Sequence, residues 1–196
     1  MKSLRIAFAA GLIALLSAPA VAQSFGSDSD QFLDAVQKRD GDKATQLIAD
    51  HPTIIDAKDA KGDTGLIIAI RAADGDWAAF LLNKGADPNL QGAGGDTPLI
   101  TAAKAGLEEA VPWLISLGAK VNIANRMGET PLIIAVQQRD TRMAKELLDA
   151  GADVDHADAA AGYSARDYAT RDPRARDILK LIEAKKPKAG TSASTN

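Results

Sequence analysis

The stretch GDTPLITA, residues 95–102, decides how this chain is read, because near-copies of it stand on either side. GDTGLIIA occupies residues 62–69, GETPLIIA residues 128–135, and a worn copy, GYSARDYA, residues 162–169. Thr64, Thr97 and Thr130 are 33 residues apart, and Ser164 falls 34 further on. A second phrase keeps the same interval: Gly85-Ala86-Asp87, Gly118-Ala119-Lys120 and Gly151-Ala152-Asp153. Self-similarity at such a period signals a solenoid, whose units cannot bury their apolar faces without stacked neighbours. The first expectation is therefore a surface that holds something, not a pocket that transforms it.

One unit can be read physically from residues 95–122. Thr97 offers a hydroxyl N-cap, and Pro98 takes the first helical position, where a missing N–H costs nothing. Leu99, Ala102 and Ala103 share a face, and the small alanines let neighbouring helices approach closely. Ala105-Gly106 turns the chain into a second helix, predicted over 107–116, with Val111, Leu114 and Ile115 inward. Pro112 lies within that helix, so a local kink is predicted. Gly118 stands just past its end, where a left-handed backbone is needed. An extended connection comes next, with Val121 turned inward. The predicted fold class is an all-α repeat solenoid built from helix, turn, helix and extended loop.

The two phrases together resemble the ankyrin repeat, whose signature carries a T-P-L-H-x-A helix start and a G-A-D-V-N turn. The resemblance covers residues 28–183 and implies about five repeats, at 28–58, 59–91, 92–124, 125–157 and 158–183. The opening copy lacks the Thr-Pro start. The closing copy keeps Gly162, Ser164 and Ala169, with an outer face rich in Arg and Asp that suits a solvated cap. Three departures stand out. The family's histidine is Ile67, Ile100 and Ile133 here, so apolar packing is expected to replace its hydrogen bonds. Gly65 stands where Pro is usual, which should weaken that helix start. One residue among Ala159-Ala160-Ala161 is extra.

The composition bounds the function. The chain has 196 residues, 46% hydrophobic and 25% charged, with a net charge of −3. No basic stripe favours nucleic acid, so no nucleic-acid partner is expected. Cysteine is absent, which removes disulfides, thiolate metal sites and cysteine nucleophiles. Lys2 and Arg5 precede an apolar run at 6–16, then Ser17-Ala18-Pro19 and the small residues Ala20-Val21-Ala22. This reads as a signal peptide, 1–22, cleaved after Ala22 for export to a periplasm. The run is shorter than the ~20 residues needed to span a bilayer, so no stable membrane anchor is expected. A short leader, 23–27, and a disordered basic and polar tail, 184–196, flank the repeats. Three tail lysines provide too little charge for stable membrane anchoring.

Most candidate chemistry fails for want of context. His156 lies in Asp153-Val154-Asp155-His156-Ala157-Asp158, but a calcium loop also needs a bend glycine and a distal bidentate acid. Gly92-Ala93-Gly94-Gly95 could suggest a phosphate cradle, yet Asp96 stands where Lys-Ser/Thr is required. Asp28/Asp30 and Asp74/Asp76 fall at turns or helix starts, where Asp caps helices. His51 reads as a surface residue beside Pro52. A haem ligand could be His156, Met127, Met143 or Tyr163, but nothing groups them into a pocket. Trp77 and Trp113 are expected to fill gaps in the stack. The chain is thus expected not to be an enzyme, with no catalytic residue, metal or cofactor.

The resemblance implies a partner protein, bound on the concave side by loop tips and the exposed positions of the first helices. Carried over by position, that row is Lys58, Lys61, Asp63 and Arg71, then Asp96 and Lys104, then Arg126, Met127, Glu129 and Gln137, then Tyr163. Arg126, Met127 and Tyr163 are of types enriched at interface hot spots, so they are expected to lead the contact. A monomer is expected, and one version of the binding role is a helper of another exported enzyme; related bacterial chains are connected with catalase and oxidative defence. The alternatives are an immunity or inhibitor protein and, from another class, a haem, metal or small-ligand carrier.

Overall fold

The computed structural model describes residues 26–185. The expected signal segment, residues 23–25 of the leader and residues 186–196 of the tail lie outside them. The described residues form ten α-helices: α1 (Asp28–Lys38), α2 (Gly41–Asp50), α3 (Gly65–Arg71), α4 (Gly75–Asn83), α5 (Pro98–Ala105), α6 (Ala110–Ser116), α7 (Pro131–Gln138), α8 (Thr141–Asp149), α9 (Ala165–Arg171) and α10 (Arg176–Ala184). The odd-numbered helices pack against one another in series, α4, α6, α8 and α10 form a second row, and each odd helix packs on the even helix that comes after it. Among the described residues, no helix is long and apolar enough to cross a membrane.

The repeated phrase explains the first row. The hydroxyls of Thr64, Thr97 and Thr130 accept from the N–H groups of Ile67, Ile100 and Ile133 at 3.3, 3.2 and 3.4 Å. Each cap satisfies one of the donors that a helix start leaves without a partner, worth about 1 kcal/mol. Ser164 does the same at α9 and gains a capping box with Asp167. Ile67, Ile100 and Ile133 are wholly buried, so apolar packing does replace the missing histidines, each side chain contributing about 2 kcal/mol or more. Gly65 is explained by its neighbour. A Cβ there would sit 3.2–3.3 Å from Val36 and Phe32 of α1, leaving little room for the usual proline ring.

The turn asparagines stitch successive units together. Asn89 accepts from Lys120 N–H at 2.8 Å and donates to Gly118 O at 3.1 Å. Asn122 repeats both bonds one unit later, with Asp153 N–H and Gly151 O. An amide carries both donor and acceptor, whereas a carboxylate only accepts. Asp56, at the same position, makes only the accepting bond, to Asp87 N–H at 3.0 Å. Asp155, at the far end, pairs with Arg166 at 2.8 Å.

The second row departs from expectation at α6. Asp40, Asp74 and Asp140 cap α2, α4 and α8 through the N–H groups of Lys43, Trp77 and Met143. The equivalent residue before α6 is Leu107, which is buried and cannot cap. The helix therefore begins at Ala110, not 107, after two tighter turns in which Ala110 and Val111 N–H donate to Leu107 O and Glu108 O. Pro112 becomes the third residue of α6, inside the turn whose N–H groups have no intrahelical acceptor, so it forces no kink. Trp77 is buried and stacks on Phe80 with ring centroids 4.5 Å apart. Trp113 does not fill the stack: it is 38% exposed, one turn from the exposed Leu117.

Candidate functional site

At α3, α5 and α9 the residue before the capping Thr or Ser faces the residue eight positions after it, across the exposed end of the helix. In α3 this brings Arg71 onto Asp63, with Nη1 to Oδ2 at 2.5 Å. In α5 it brings Lys104 onto Asp96 at 2.9 Å. In α9 the Arg171 guanidinium lies 4.0 Å from the Tyr163 ring centre, and Tyr163 meets Tyr168 edge-on. At α7 the pair is Glu129 and Gln137; Glu129 turns instead to Asn125 at 2.8 Å and Lys104 at 3.6 Å. Asp63, Arg71, Asp96, Lys104, Glu129 and Tyr163, all expected to bind a partner, are thus engaged within the chain.

Asp63 is the clearest correction. It is 0% exposed, so it offers a partner nothing directly. The Arg71 guanidinium holds its carboxyl below the usual range against the opposing effect of burial, with help from Ala93 N–H. Arg71 is raised in turn by the same contact. Tyr163 is half-buried in its stack, and Asp96 and Glu129 are mostly covered and paired. Tyr168 and Asp158 repeat the theme: the phenol O–H donates to the carboxylate at 2.5 Å, lowering Asp158 and raising Tyr168. These groups position the face more than they present it.

What remains outward is concentrated at the loop tips. Lys58, Lys61, Arg126 and Met127 are exposed, Met127 by 50%, and Gln137 is exposed at the end of α7. Lys58 donates to Gln91 O of the next tip at 2.7 Å. Among the described residues, neither the Lys61 nor the Arg126 side chain has an ion-pair or hydrogen-bond partner.

Three of the four tips close by one device. Asp59 accepts from Lys61 and Asp63 N–H, Asn125 from Met127 and Glu129 N–H, and Asp158 from Ala160, Ala161 and Gly162 N–H. The extra alanine is absorbed by widening the turn: Asp158 N–H donates to Tyr163 O five residues on, where Asn125 N–H donates to Glu129 O four residues on. The tip before α5 has Gly92 at this position. A Cβ there would run into Asp63 Oδ1, because Asp63 reaches across to accept from Ala93 N–H at 2.8 Å. The neighbouring tip locks on from the other side, Arg126 N–H donating to Gly94 O at 3.0 Å. Together they frame an open groove of about 680 Å³, lined by Lys58, Lys61, Gly92–Gly95 backbone and Arg126.

The groups considered for metal or cofactor chemistry are scattered. His156 Nε2 lies 3.0 Å from Gly128 O, Asp155 is taken by Arg166, and Met143 is wholly buried in the core. His51 meets Asp28 at 3.2 Å on the surface. Among the described residues, no group of three or more metal-ligating side chains comes together. Sequence reasoning missed the Arg171 strut on Tyr163 and the closing roles of Asn125 and Asp158. The eight-residue interval shared by the struts was the available signal.

The family model described as ankyrin repeats (3 copies) matches residues 32–125 and again 66–158. No curated protein matches the chain.

Proposed function

Since the chain belongs to the ankyrin-repeat family, in general a non-catalytic scaffold for protein binding, we propose that it holds one partner protein at the loop tips before α3, α5 and α7. The observation that carries this reading is Met127. A large apolar side chain half exposed on a tip, beside the unpaired Arg126, is the kind of anchor that interface cores use. The expected leading trio is reduced to these two, because Tyr163 serves Tyr168 and Arg171 inside the chain.

The role we assign is that of a helper for another exported protein, encountered in the periplasm to which residues 1–22 would direct the chain. Cell fractionation and N-terminal sequencing test the location, with Gln23 the expected first residue of the mature chain. A photocrosslinking side chain at position 127 tests the binding face. One protein should be captured repeatedly, and replacing Arg126 and Met127 together with Ala should weaken that complex by about 2 kcal/mol. Unchanged affinity in a folded Arg126→Ala/Met127→Ala variant would sink the reading. Raised yield or activity of the captured protein marks a helper; loss of its activity marks an inhibitor.

A further inference from the structure

We infer that the groove over Gly92–Gly95 receives an acidic segment of the partner protein, an inference that rests on the tips being the binding face. The argument begins with charge. The chain as a whole is acidic, at −3, yet this groove is lined by Lys58, Lys61 and Arg126 and by no carboxylate. The nearby acids are committed within the chain: Asp63 is fully buried against Arg71 and Ala93, Asp59 accepts from Lys61 and Asp63 N–H, and Asp96 is held by Lys104 and Asn125. Opposite charges elsewhere on this face are consumed in struts, so the positive potential of the groove is left for an incoming ligand.

Geometry selects the ligand's class. Lys61 and Arg126 stand on the tips either side of the glycine loop, and Gly94 is exposed at φ 72° with open space where a Cβ would stand. Bare backbone lets another chain approach closely between the two cations. Arg126 is held in place by its N–H bond to Gly94 O and by its stem over Gly95, where a Cβ would sit 3.2 Å from Arg126 Cγ. An extended segment with a carboxylate every second residue presents them on one face about 7 Å apart, facing the cations of successive tips. No aromatic side chain lines the groove for base stacking, and three local cations make no phosphate-tracking stripe, which argues for peptide over nucleic acid. Residues 1–25 and 186–196 hold no Asp or Glu, so neither segment can supply the carboxylates.

The test uses the full chain and fluorescence anisotropy at low salt. The probe is a short fluorescein-labelled peptide alternating Glu and Gly, with the Gln and Gly peptide as control. The Glu peptide should bind and the Gln peptide should not. Lys61→Glu/Arg126→Glu should weaken the Glu peptide at least about tenfold, while Lys38→Glu/Lys180→Glu, with the same change in net charge, should leave it unaltered. Urea midpoints establish that both variants fold, and Lys61→Gln/Arg126→Gln replaces the first if it does not. No binding by the parent chain, equal loss in both variants, or tighter binding of inorganic phosphate or a single-stranded oligonucleotide overturns the inference. Crosslinking from position 127 separates the two levels. If a Lys61→Glu chain, with Arg126 intact, still captures the same protein at unchanged yield, only the acidic-segment inference falls. If the parent captures nothing, the binding-face reading falls with it.

Discussion

The loop before α7 and the loop before α5 occupy equivalent places and are held by opposite arrangements. In the first, Asn125 sits inside its own turn, accepting from Met127 and Glu129 N–H and donating to Asp96 and Glu129. In the second, Gly92 contributes no side chain, and the acceptor arrives from the preceding unit as Asp63. A loop closed from within has its side chain folded under it and presents the next two residues, Arg126 and Met127. A loop held from outside lies open, and its bare backbone becomes the floor of a groove. The same fold thus yields a projecting tip and a recess side by side, from a single change of residue type.

That contrast can be broken most severely at Gly92. If an internal acceptor were all the second loop lacked, Gly92→Asn would stabilise it. The Cβ would instead run into Asp63 Oδ1 and lie 2.8 Å from Ile67 Cδ1, displacing the buried Asp63 carboxylate from Arg71 and Ala93 N–H. We expect a loss of about 3 kcal/mol in urea denaturation. The converse exchange, Asn125→Gly, should cost less, about 2 kcal/mol. It strands the N–H groups of Met127 and Glu129, and the Glu129 carboxylate loses a donor. Equal effects of the two exchanges, or a gain at Gly92, would show the loops to be interchangeable.

Asp63→Asn sharpens the comparison through pH and should cost about 1 kcal/mol near neutrality. In the folded chain Arg71 holds the Asp63 carboxyl below its usual range. A depressed carboxylate stabilises fully above its unfolded value of about 4, and that contribution is lost as pH falls through the folded value. Thermal melts should therefore show the parent losing its advantage over Asp63→Asn as pH drops below about 4. A constant difference across that range would mean the charge is not what holds the loop. The smallest effect on folding belongs to Met127→Ala. With the side chain half exposed, stability should change by less than about 0.5 kcal/mol, while partner capture falls.

The stack was legible because its signals are local and repeated. The Thr caps, Pro98 and the turn glycines act within a few residues, and their recurrence every 33 positions leaves little else for the chain to build. The start of α6 was less legible. Pro112 reads in line as a kink, while the deciding residue is Leu107, which breaks a series of capping aspartates at Asp40, Asp74 and Asp140. Trp113 misleads for a related reason. Aromatic character predicts burial only on average, and the face on which it falls depends on where the helix begins.

For the proposed binding face, the sequence by itself determined which positions share one side of the stack, because register follows from the period. It could not say which of them are available. Asp63, Arg71, Asp96 and Lys104 look like surface charges when read in line. Only folding brings each acid against the base eight residues later and buries Asp63 entirely. Charge on a chain is fixed by composition, but whether that charge is spent internally or offered outward is fixed by distance, and distance is decided by the tertiary structure.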